Sequence, residues 1–181
     1  MAINESAILK SELRWTLVVA GIVAIILGAI LFAALSMHIN PPSNREYIDP
    51  KTVHLSSEFT EENLGTRLDP NGRVVARMIT TQFEFVPNCI VVPADTDLTL
   101  RFTSPDVIHG LLVTGTNVNT MVVPGFVSEL RTSFAAPGEH VMPCHEFCGL
   151  GHHGMWARVT VLPNDRFKTP GPEERTSCAE Q

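Results

Sequence analysis

Hydrophobic residues are concentrated in one uninterrupted segment near the N-terminus. Residues 15–37 contain no charged side chain, and 19 of these 23 residues are hydrophobic. A helix of this length would measure about 34 Å and could cross a hydrocarbon layer of about 30 Å. A cleaved signal peptide is the competing interpretation, but the apolar run exceeds the usual length and Glu5 and Glu12 precede it. The pattern predicts one transmembrane helix over residues 15–37, preceded by a short N-terminal segment over residues 1–14.

The hydrophobic pattern changes completely after this helix. Residues 38–71 are polar and rich in proline and turn residues, which predicts a linker and a lead-in to a domain. Residues 72–163 contain short apolar or alternating runs separated by proline and glycine, and residues 164–181 form a polar tail. The predicted strands lie within residues 73–83, 89–92, 97–103, 108–114, 118–123, 127–134, 139–143 and 155–162. Such spacing is typical of a Greek-key β-sandwich or barrel, so the predicted fold class is mainly β with one N-terminal transmembrane helix.

Composition supports this division into an anchor and one ordinary domain. All 13 basic and 19 acidic residues lie outside residues 15–37, so the other residues have the composition of a soluble domain. A disordered chain, a polytopic membrane protein and a uniformly soluble protein are thereby excluded. Lys10 and Arg14 precede the helix while Arg45 and Lys51 follow it, so the distribution of positive charge leaves its orientation open.

One short segment concentrates metal-binding side chains. Residues 144–155 contain two thiols, three imidazoles, a carboxylate and a thioether. These are Cys144, His145, Glu146, Cys148, His152, His153 and Met155. Soft and borderline ligands of this kind favour copper or zinc over magnesium or calcium. Two cysteines four residues apart lie too far apart on a straight strand to share one ion, so we expect this segment to form a loop.

Four interpretations of this segment remain open from the residues alone. A structural zinc site would use four nitrogen and sulfur ligands. A mononuclear blue-copper site would use one cysteine and leave the second without a role. A Cys144–Cys148 disulfide is the structural alternative. A dinuclear copper centre needs two thiolates, two imidazoles and weak axial ligands, and His109 in the segment SPDVIHG could supply the second imidazole.

The motif Cys-x-Glu-x-Cys-x-x-x-His-x-x-Met, with His109 upstream, resembles the CuA signature of cytochrome c oxidase subunit II. The segments SPDVIHG, TGTNVN, VVPG, PGEH and CGLGH extend the likeness over about residues 41–163. They resemble the short, single-span subunit II of B-type (ba-type) heme-copper oxidases. The sequence departs from that group at Glu146, where B-type subunits have glutamine and the larger A-type subunits have glutamate.

The resemblance implies a cupredoxin-like domain over residues 72–163 with a dinuclear CuA centre. Cys144 and Cys148 would bridge both coppers, while His109 and His152 would each bind one. Met155 and the backbone carbonyl of Glu146 would be weak axial ligands. The apolar side chains expected to keep water from the centre are Met142, Phe147 and Trp156. As in A-type relatives, the Glu146 side chain could also bind magnesium at the boundary with subunit I.

The function that the resemblance implies is electron entry into a respiratory heme-copper oxidase. Electrons would pass from cytochrome c or a similar donor through CuA to heme in subunit I, where oxygen reduction is coupled to proton pumping. The implied partners are subunit I, further small subunits and membrane lipid, and no nucleic acid. Because a c-type donor is extracytoplasmic, the domain would lie in the periplasm or outside the cell. The helix would span the plasma membrane of a bacterium once, with the N-terminus in the cytoplasm.

Alternative functions share part of these features. The electron-input subunit of a CuA-containing nitric oxide reductase could carry the same motif, because the catalytic partner selects the substrate. A membrane-anchored copper-delivery protein is a more distant alternative, since such proteins often have an α/β fold that this sequence does not predict. A structural zinc module is another.

Residues outside the motif have less specific roles at this stage. Asp106 could orient His109 or cap a turn. Phe83 and Phe85 could belong to the core, or one of them could lie beneath the docking surface of the electron donor. Cys89 and Cys178 could form a disulfide or remain free thiols, and sequence does not decide between them.

Overall fold

A computed structural model of the chain describes residues 5–36, 43–168 and 178, with the side chains of residues 43–45 left undescribed. The chain forms two compact units, Met1–Ile39 and Asn40–Gln181. The first contains helix α1 (Glu5–Ser36), which is long and apolar enough to cross a membrane. This helix begins ten residues before the predicted transmembrane segment, because residues 5–14 are rich in good helix formers. The predicted end at residue 37 lies outside the described residues.

The second unit is built from strands and short 3-10 turns. The described strands are β1 (Ser43–Tyr47), β2 (Gly65–Leu68), β3 (Val74–Thr81), β4 (Glu84–Val86), β5 (Cys89–Pro93), β6 (Leu98–Thr103), β7 (His109–Leu112), β8 (Asn119–Val122), β9 (Phe126–Thr132), β10 (Gly138–Pro143) and β11 (Trp156–Leu162). Three 3-10 turns span Pro50–Leu55, Glu61–Asn63 and His152–Gly154. Each of the eight segments predicted to hold a strand does contain one.

The strands form a larger sheet, a smaller sheet and a hairpin. The larger sheet has the order β1-β9-β6-β3-β2, with β4 paired to β3. The smaller sheet has the order β10-β11-β5, and β7 pairs with β8. The pairs β3–β6 and β5–β11 are parallel and the others are antiparallel. The predicted fold class is confirmed: one apolar helix precedes a cupredoxin-like β-sandwich.

The core explains why these residues form strands. In β11 and β6 the buried positions alternate with more exposed ones, as expected for strands with one face against a core. In contrast, every residue of β5 is buried, which fits its continuous apolar sequence CIVVP. One buried cluster joins side chains from both sheets, including Phe102, Ile90 and Val159. This cluster fixes the strand ends from which the metal-binding loops emerge.

The predicted linker and lead-in differ from the structure. We expected residues 38–71 to precede the domain, but β1 and β2 from this region belong to the larger sheet. Residues 38–42 lie outside the described residues. The sequence of β1, SNREY, has no apolar alternation, so its strand pairing with β9 could not be predicted from periodicity.

A cluster of ion pairs joins the lead-in to the larger sheet. The side chain of Arg101, only 14% exposed, contacts the carboxylates of Glu46, Glu58 and Glu129. Glu58 also accepts a hydrogen bond from Arg77 Nε at 3.1 Å. Burial alone would lower the pKa of Arg101, but Glu58 and Glu46 outweigh this effect and hold the pKa above its ordinary value. Arg101 therefore holds three separate segments of the chain together.

Replacement of Arg101 should destabilise the domain. Arg101→Met keeps much of the apolar stem but removes the positive charge that Glu46, Glu58 and Glu129 share, and Arg77 remains as a cation beside Glu58 alone. We expect a loss of about 2 to 4 kcal/mol in the free energy of unfolding, measured by chemical denaturation of the full chain in mild detergent. The matched control is Arg73→Met, because the Arg73 side chain is 62% exposed where it pairs with Asp69. Equal effects of the two substitutions would contradict the proposed role of Arg101.

Candidate metal centre

Strand pairing brings the two ends of the metal-binding loop together. Strand β10 ends at Pro143 and β11 begins at Trp156, and these two residues are paired across the antiparallel strands. Residues 144–155 form the connection between them. The backbone N–H of Cys144 donates a hydrogen bond to the carbonyl of Met155 at 3.1 Å. The first and last predicted ligands of the loop are therefore held side by side.

The two cysteines of the loop lie close together beneath the surface. Cys144 and Cys148 are 6% and 4% exposed, and their Sγ atoms are 4.0 Å apart. Both are free thiols, so the predicted alternative of a disulfide between them is not what the structure shows. Cys144 Sγ also lies 3.3 Å from the carbonyl oxygen of Glu146, whose own side chain is exposed. Two thiols and one carbonyl oxygen thus converge on one point.

His109, at the start of β7, presents a nitrogen without a partner to these thiols. The ring is fully buried, and its Nε2 lies 2.9 Å from Asp106 Oδ1. Its Nδ1 is buried and has no hydrogen-bond partner. A ligand atom of His109 and the two Sγ atoms all lie within 4.8 Å of one another. An unpartnered buried nitrogen is costly, and a metal ion would satisfy it, so these residues fit the predicted metal.

The remaining predicted ligands contact Cys148. His152 Nδ1 lies 3.6 Å and Met155 Sδ lies 3.7 Å from Cys148 Sγ. His152 opens a 3-10 turn that ends at Gly154, and this turn directs both side chains back toward the thiol. His145 and His153 are exposed, as expected for residues outside the motif. The structure therefore brings together all six predicted ligand residues and leaves His145 and His153 exposed.

Asp106 performs both of the roles considered for it. Its carboxylate accepts hydrogen bonds from the backbone N–H groups of Gln82 at 2.7 Å and Val107 at 2.6 Å, as well as contacting His109. Burial would raise the pKa of Asp106, but the hydrogen bonds from His109, Val107 and Gln82 outweigh it and lower the pKa. An ionised Asp106 keeps the proton of His109 on Nε2, which leaves the Nδ1 lone pair free for a metal.

Metal binding at Cys148 is coupled to the loss of a proton. Burial raises the pKa of the Cys148 thiol to about 11, and the neighbouring Cys144 adds to this effect. Without a metal this thiol is protonated at neutral pH, so binding must release its proton.

Two further residues contact the loop: Gln82, which was not predicted from sequence, and Phe83, which was considered for the core or for the region beneath the docking surface. The Gln82 side-chain amide donates a hydrogen bond to the Cys148 carbonyl. The ring of Phe83 fills the space beside Gly151, where a Cβ atom would lie 2.5 Å from it. Phe85, by contrast, is 1% exposed and belongs to the core. No sequence signal marks Gln82 as a support for the loop, because a polar residue at a strand end is common.

The expected apolar cover of the site needs correction. Met142 is fully buried, as predicted, but Phe147 and Trp156 are 74% and 57% exposed. Trp156 Nε1 donates a hydrogen bond to the carbonyl of His153, which holds the ring at the surface. Leu150 at the tip of the loop is 93% exposed. The loop therefore presents large apolar side chains to its surroundings instead of folding them over the thiols.

The magnesium site predicted at Glu146 gains no support. Among residues 5–36, 43–168 and 178, the only group of three or more His, Cys, Asp or Glu side chains placed to share an ion is His109, Cys144 and Cys148.

Comparison with known proteins gives this geometry its family. A family model described as the periplasmic domain of cytochrome c oxidase subunit II matches residues 56–161, more than half of the chain. The chain belongs to the cytochrome c oxidase subunit II family. Membership makes it a subunit of an oxidoreductase complex, with a role in electron entry. The helix α1 followed by a domain of this kind fits a single-pass membrane protein.

Individual relatives agree with this assignment. One cytochrome c oxidase subunit 2 of Thermus thermophilus is 32% identical over 160 residues, which cover 87% of this chain and 95% of that protein. Another Thermus thermophilus subunit 2 is 36% identical over 121 residues, covering 67% of this chain and 90% of the relative. A chain in a cryo-EM structure of a heme-copper terminal oxidase dimer has a TM-score of 0.62 at 28% identity, with coverage of 84% and 98%. The near-complete coverage of a Thermus relative is consistent with the predicted short, B-type subunit II.

A close backbone contact at Gly110 should be essential for metal binding. A Cβ atom at Gly110 would lie 2.5 Å from the His145 ring and 2.7 Å from the backbone nitrogen of Glu146. Gly110→Ala should therefore push the loop away from His109 and lower the copper content of the purified chain several-fold, measured by metal analysis. Gly138→Ala is the matched control, because a Cβ atom there meets nothing within 4 Å. Full copper content in Gly110→Ala would show that the loop tolerates displacement.

Proposed function

We propose that this subunit II binds a dinuclear CuA centre and passes single electrons through it. The observation that carries the proposal is the pair of buried thiols, 4.0 Å apart, beside the unpartnered Nδ1 of His109. His152 Nδ1 lies against the second thiol. The copper pair, when bound, would supply a site that accepts and donates one electron.

Each ligand residue has a defined part in this proposal. Cys144 and Cys148 would hold the two ions as thiolates, and the Nδ1 atoms of His109 and His152 would complete the strong ligands. Met155 and the carbonyl oxygen of Glu146 would serve as weak ligands, because each lies beside a different thiol.

These weak ligands favour CuA over the other metal sites considered. A structural zinc ion would be satisfied by the two thiols and two imidazoles and would leave the buried Met155 sulfur without a role. A mononuclear copper site would leave one buried thiol without a role. Two ions use all six donors, and membership of the subunit II family supports the same choice.

The protein part of the centre restrains the ligands. The Cys144–Met155 hydrogen bond fixes both ends of the loop, Asp106 orients the His109 ring and Gln82 holds the Cys148 carbonyl. Ligands held in this way move little when the charge of the site changes, which lowers the cost of electron transfer. Burial of both cysteines keeps water from the sulfur atoms.

Electron flow gives the protein its orientation in the proposal. The donor is cytochrome c or a similar small protein, and the acceptor is a heme in subunit I, where oxygen is reduced and protons are pumped. Because such a donor lies outside the cytoplasm, the domain faces the periplasm and the N-terminus of α1 faces the cytoplasm of a bacterial plasma membrane.

The exposed apolar side chains of the loop form the docking surface in this proposal. Phe147 and Leu150 lie within the ligand loop, Trp156 directly follows it, and all three side chains are largely exposed. Removal of these apolar side chains from water would stabilise contact with a donor at the loop. A donor held there would have a short electron path to the ligands. The net charge of −6 is spread along the chain, so charge alone does not define the docking surface.

The metal centre can be tested by copper stoichiometry. The full chain in detergent, loaded with copper, should bind two ions and give an EPR spectrum with hyperfine coupling shared over both nuclei. Cys148→Ser should abolish this spectrum, and His152→Ala should disrupt it. His153→Ala is the matched control, since His153 adjoins His152 but is exposed. One copper per chain, or tight zinc binding without colour, would contradict the proposal; loss of the signal in His153→Ala would show that the ligands are misassigned.

The docking surface can be tested separately from the metal. Leu150→Glu places a charge at the most exposed apolar residue of the loop, and we expect at least a tenfold lower second-order rate of reduction by cytochrome c. The copper spectrum should be unchanged. Leu55→Glu is the control, because Leu55 is 71% exposed but lies outside the loop. Stopped-flow kinetics measure the reduction rate of both variants. Equal rates for Leu150→Glu and Leu55→Glu would exclude Leu150 from the donor contact.

A further inference from the structure

A second pair of cysteines lies outside the metal centre and is joined. Cys89 and Cys178 form a disulfide, although 89 positions separate them in the sequence. Their Cα atoms are 5.6 Å apart, which is within the usual range for this bond. Neither residue belongs to the group formed by His109, Cys144 and Cys148. The bond therefore has no part in the proposed copper chemistry.

The bond lies against the pair of strands that supports the copper loop. Cys89 is the first residue of β5, is 4% exposed, and is paired with Arg158 of β11. The hydroxyl of Thr160, also on β11, lies 3.8 Å from Cys89 Sγ and 3.6 Å from Cys178 Sγ. Cys178 thus contacts both strands, and β11 begins directly after Met155.

We propose that the Cys89–Cys178 disulfide is a covalent clasp that fastens Cys178 to β5, against β11, and stabilises the metal-free domain. Its formation removes one proton and one electron from each thiol. Both pass to a thiol oxidoreductase in its disulfide form, which leaves as a dithiol. Such oxidants act outside the cytoplasm, so the clasp forms on the same side of the membrane as the proposed electron donor.

The position of β5 explains why a clasp is useful there. Within the described residues, β5 pairs in its sheet only with β11, in parallel, and has no second neighbour in that sheet. An edge strand of this kind can separate from its sheet more readily than a central strand. A cross-link that closes a long loop restricts the unfolded chain strongly, so it stabilises the folded pairing of β5 with β11.

The predicted linkage can be mapped directly, because trypsin separates the cysteines. Cleavage after Arg77, Arg101, Arg131, Arg158 and Arg175 places Cys89 in residues 78–101, Cys178 in residues 176–181, and both copper-binding cysteines in residues 132–158. We expect mass spectrometry of the full chain, alkylated before digestion without reductant, to find residues 78–101 linked to residues 176–181. A link from either peptide to residues 132–158, or alkylation of both Cys89 and Cys178, would overturn the proposal.

The stabilising effect has its own test. The double variant Cys89→Ser/Cys178→Ser avoids an unpaired third thiol, and we expect its unfolding midpoint, measured metal-free in detergent, to fall by about 10 °C. A reductant should lower the midpoint of the wild-type chain and leave that of the double variant unchanged, which provides a second measurement if the variant folds poorly. An equal midpoint in both chains would overturn the clasp.

Copper content distinguishes this proposal from the proposed function. The double variant should bind as much copper as the wild-type chain, with the same EPR spectrum, because the clasp acts on stability and not on the ligands. Loss of copper binding in a folded double variant would contradict that independence. Failure of the wild-type chain to bind two coppers would contradict the CuA proposal and leave the clasp intact.

Discussion

The metal centre depends on the antiparallel pairing of β10 with β11. This pairing places Pro143 opposite Trp156 and lets the Cys144 N–H reach the Met155 carbonyl, so the loop over residues 144–155 begins and ends at nearly the same point. Without that constraint, the two thiols and the thioether would belong to a flexible chain and would lose conformational entropy on binding metal. The sandwich core meets this entropy cost during folding, before any ion is present. The strand pairing is therefore the condition on which the position of every predicted ligand within residues 144–155 depends.

A second constraint acts from the opposite side of the site. Asp106 binds the His109 ring and the backbone of Gln82, while the Gln82 side chain binds the Cys148 carbonyl. The carboxylate thus links the histidine of one strand end to the loop of another through a short series of hydrogen bonds. Because the buried Nδ1 of His109 has no partner of its own, this arrangement maintains an unsatisfied nitrogen at the place where an ion would bind. Metal binding here requires a buried nitrogen without a partner, which lowers the stability of the domain locally. The surrounding hydrogen bonds hold that nitrogen in place.

Much of the fold could be predicted from the sequence. The parts that could not be predicted were missed for physical reasons. The main strands alternate between buried and exposed positions, so periodicity located them, and the spacing from Cys144 to Met155 predicted loop residues that the structure brings close together. Strands β1, β2 and β4 are short, and β1 is held by edge pairing and by ions around Arg101 instead of an apolar face. The exposure of Phe147 and Trp156 could not be predicted, because a loop has no period that separates inside from outside. The partner of Cys89 depended on contacts across 89 positions.

One cysteine pair must be oxidised and the other must stay reduced, although both pairs belong to the same domain. Four cysteines can form disulfides in three complete combinations. Any single disulfide that includes Cys144 or Cys148 would remove a predicted metal ligand. Cys144 and Cys148 are close enough in space for local rearrangement to join them, so distance alone does not protect them from oxidation. Burial raises the pKa of Cys148, so the thiolate fraction of this thiol is low, and thiol–disulfide exchange requires a thiolate. Selective oxidation of one pair is thus a matter of relative rates, and the order of events during maturation decides whether a chain can take up metal.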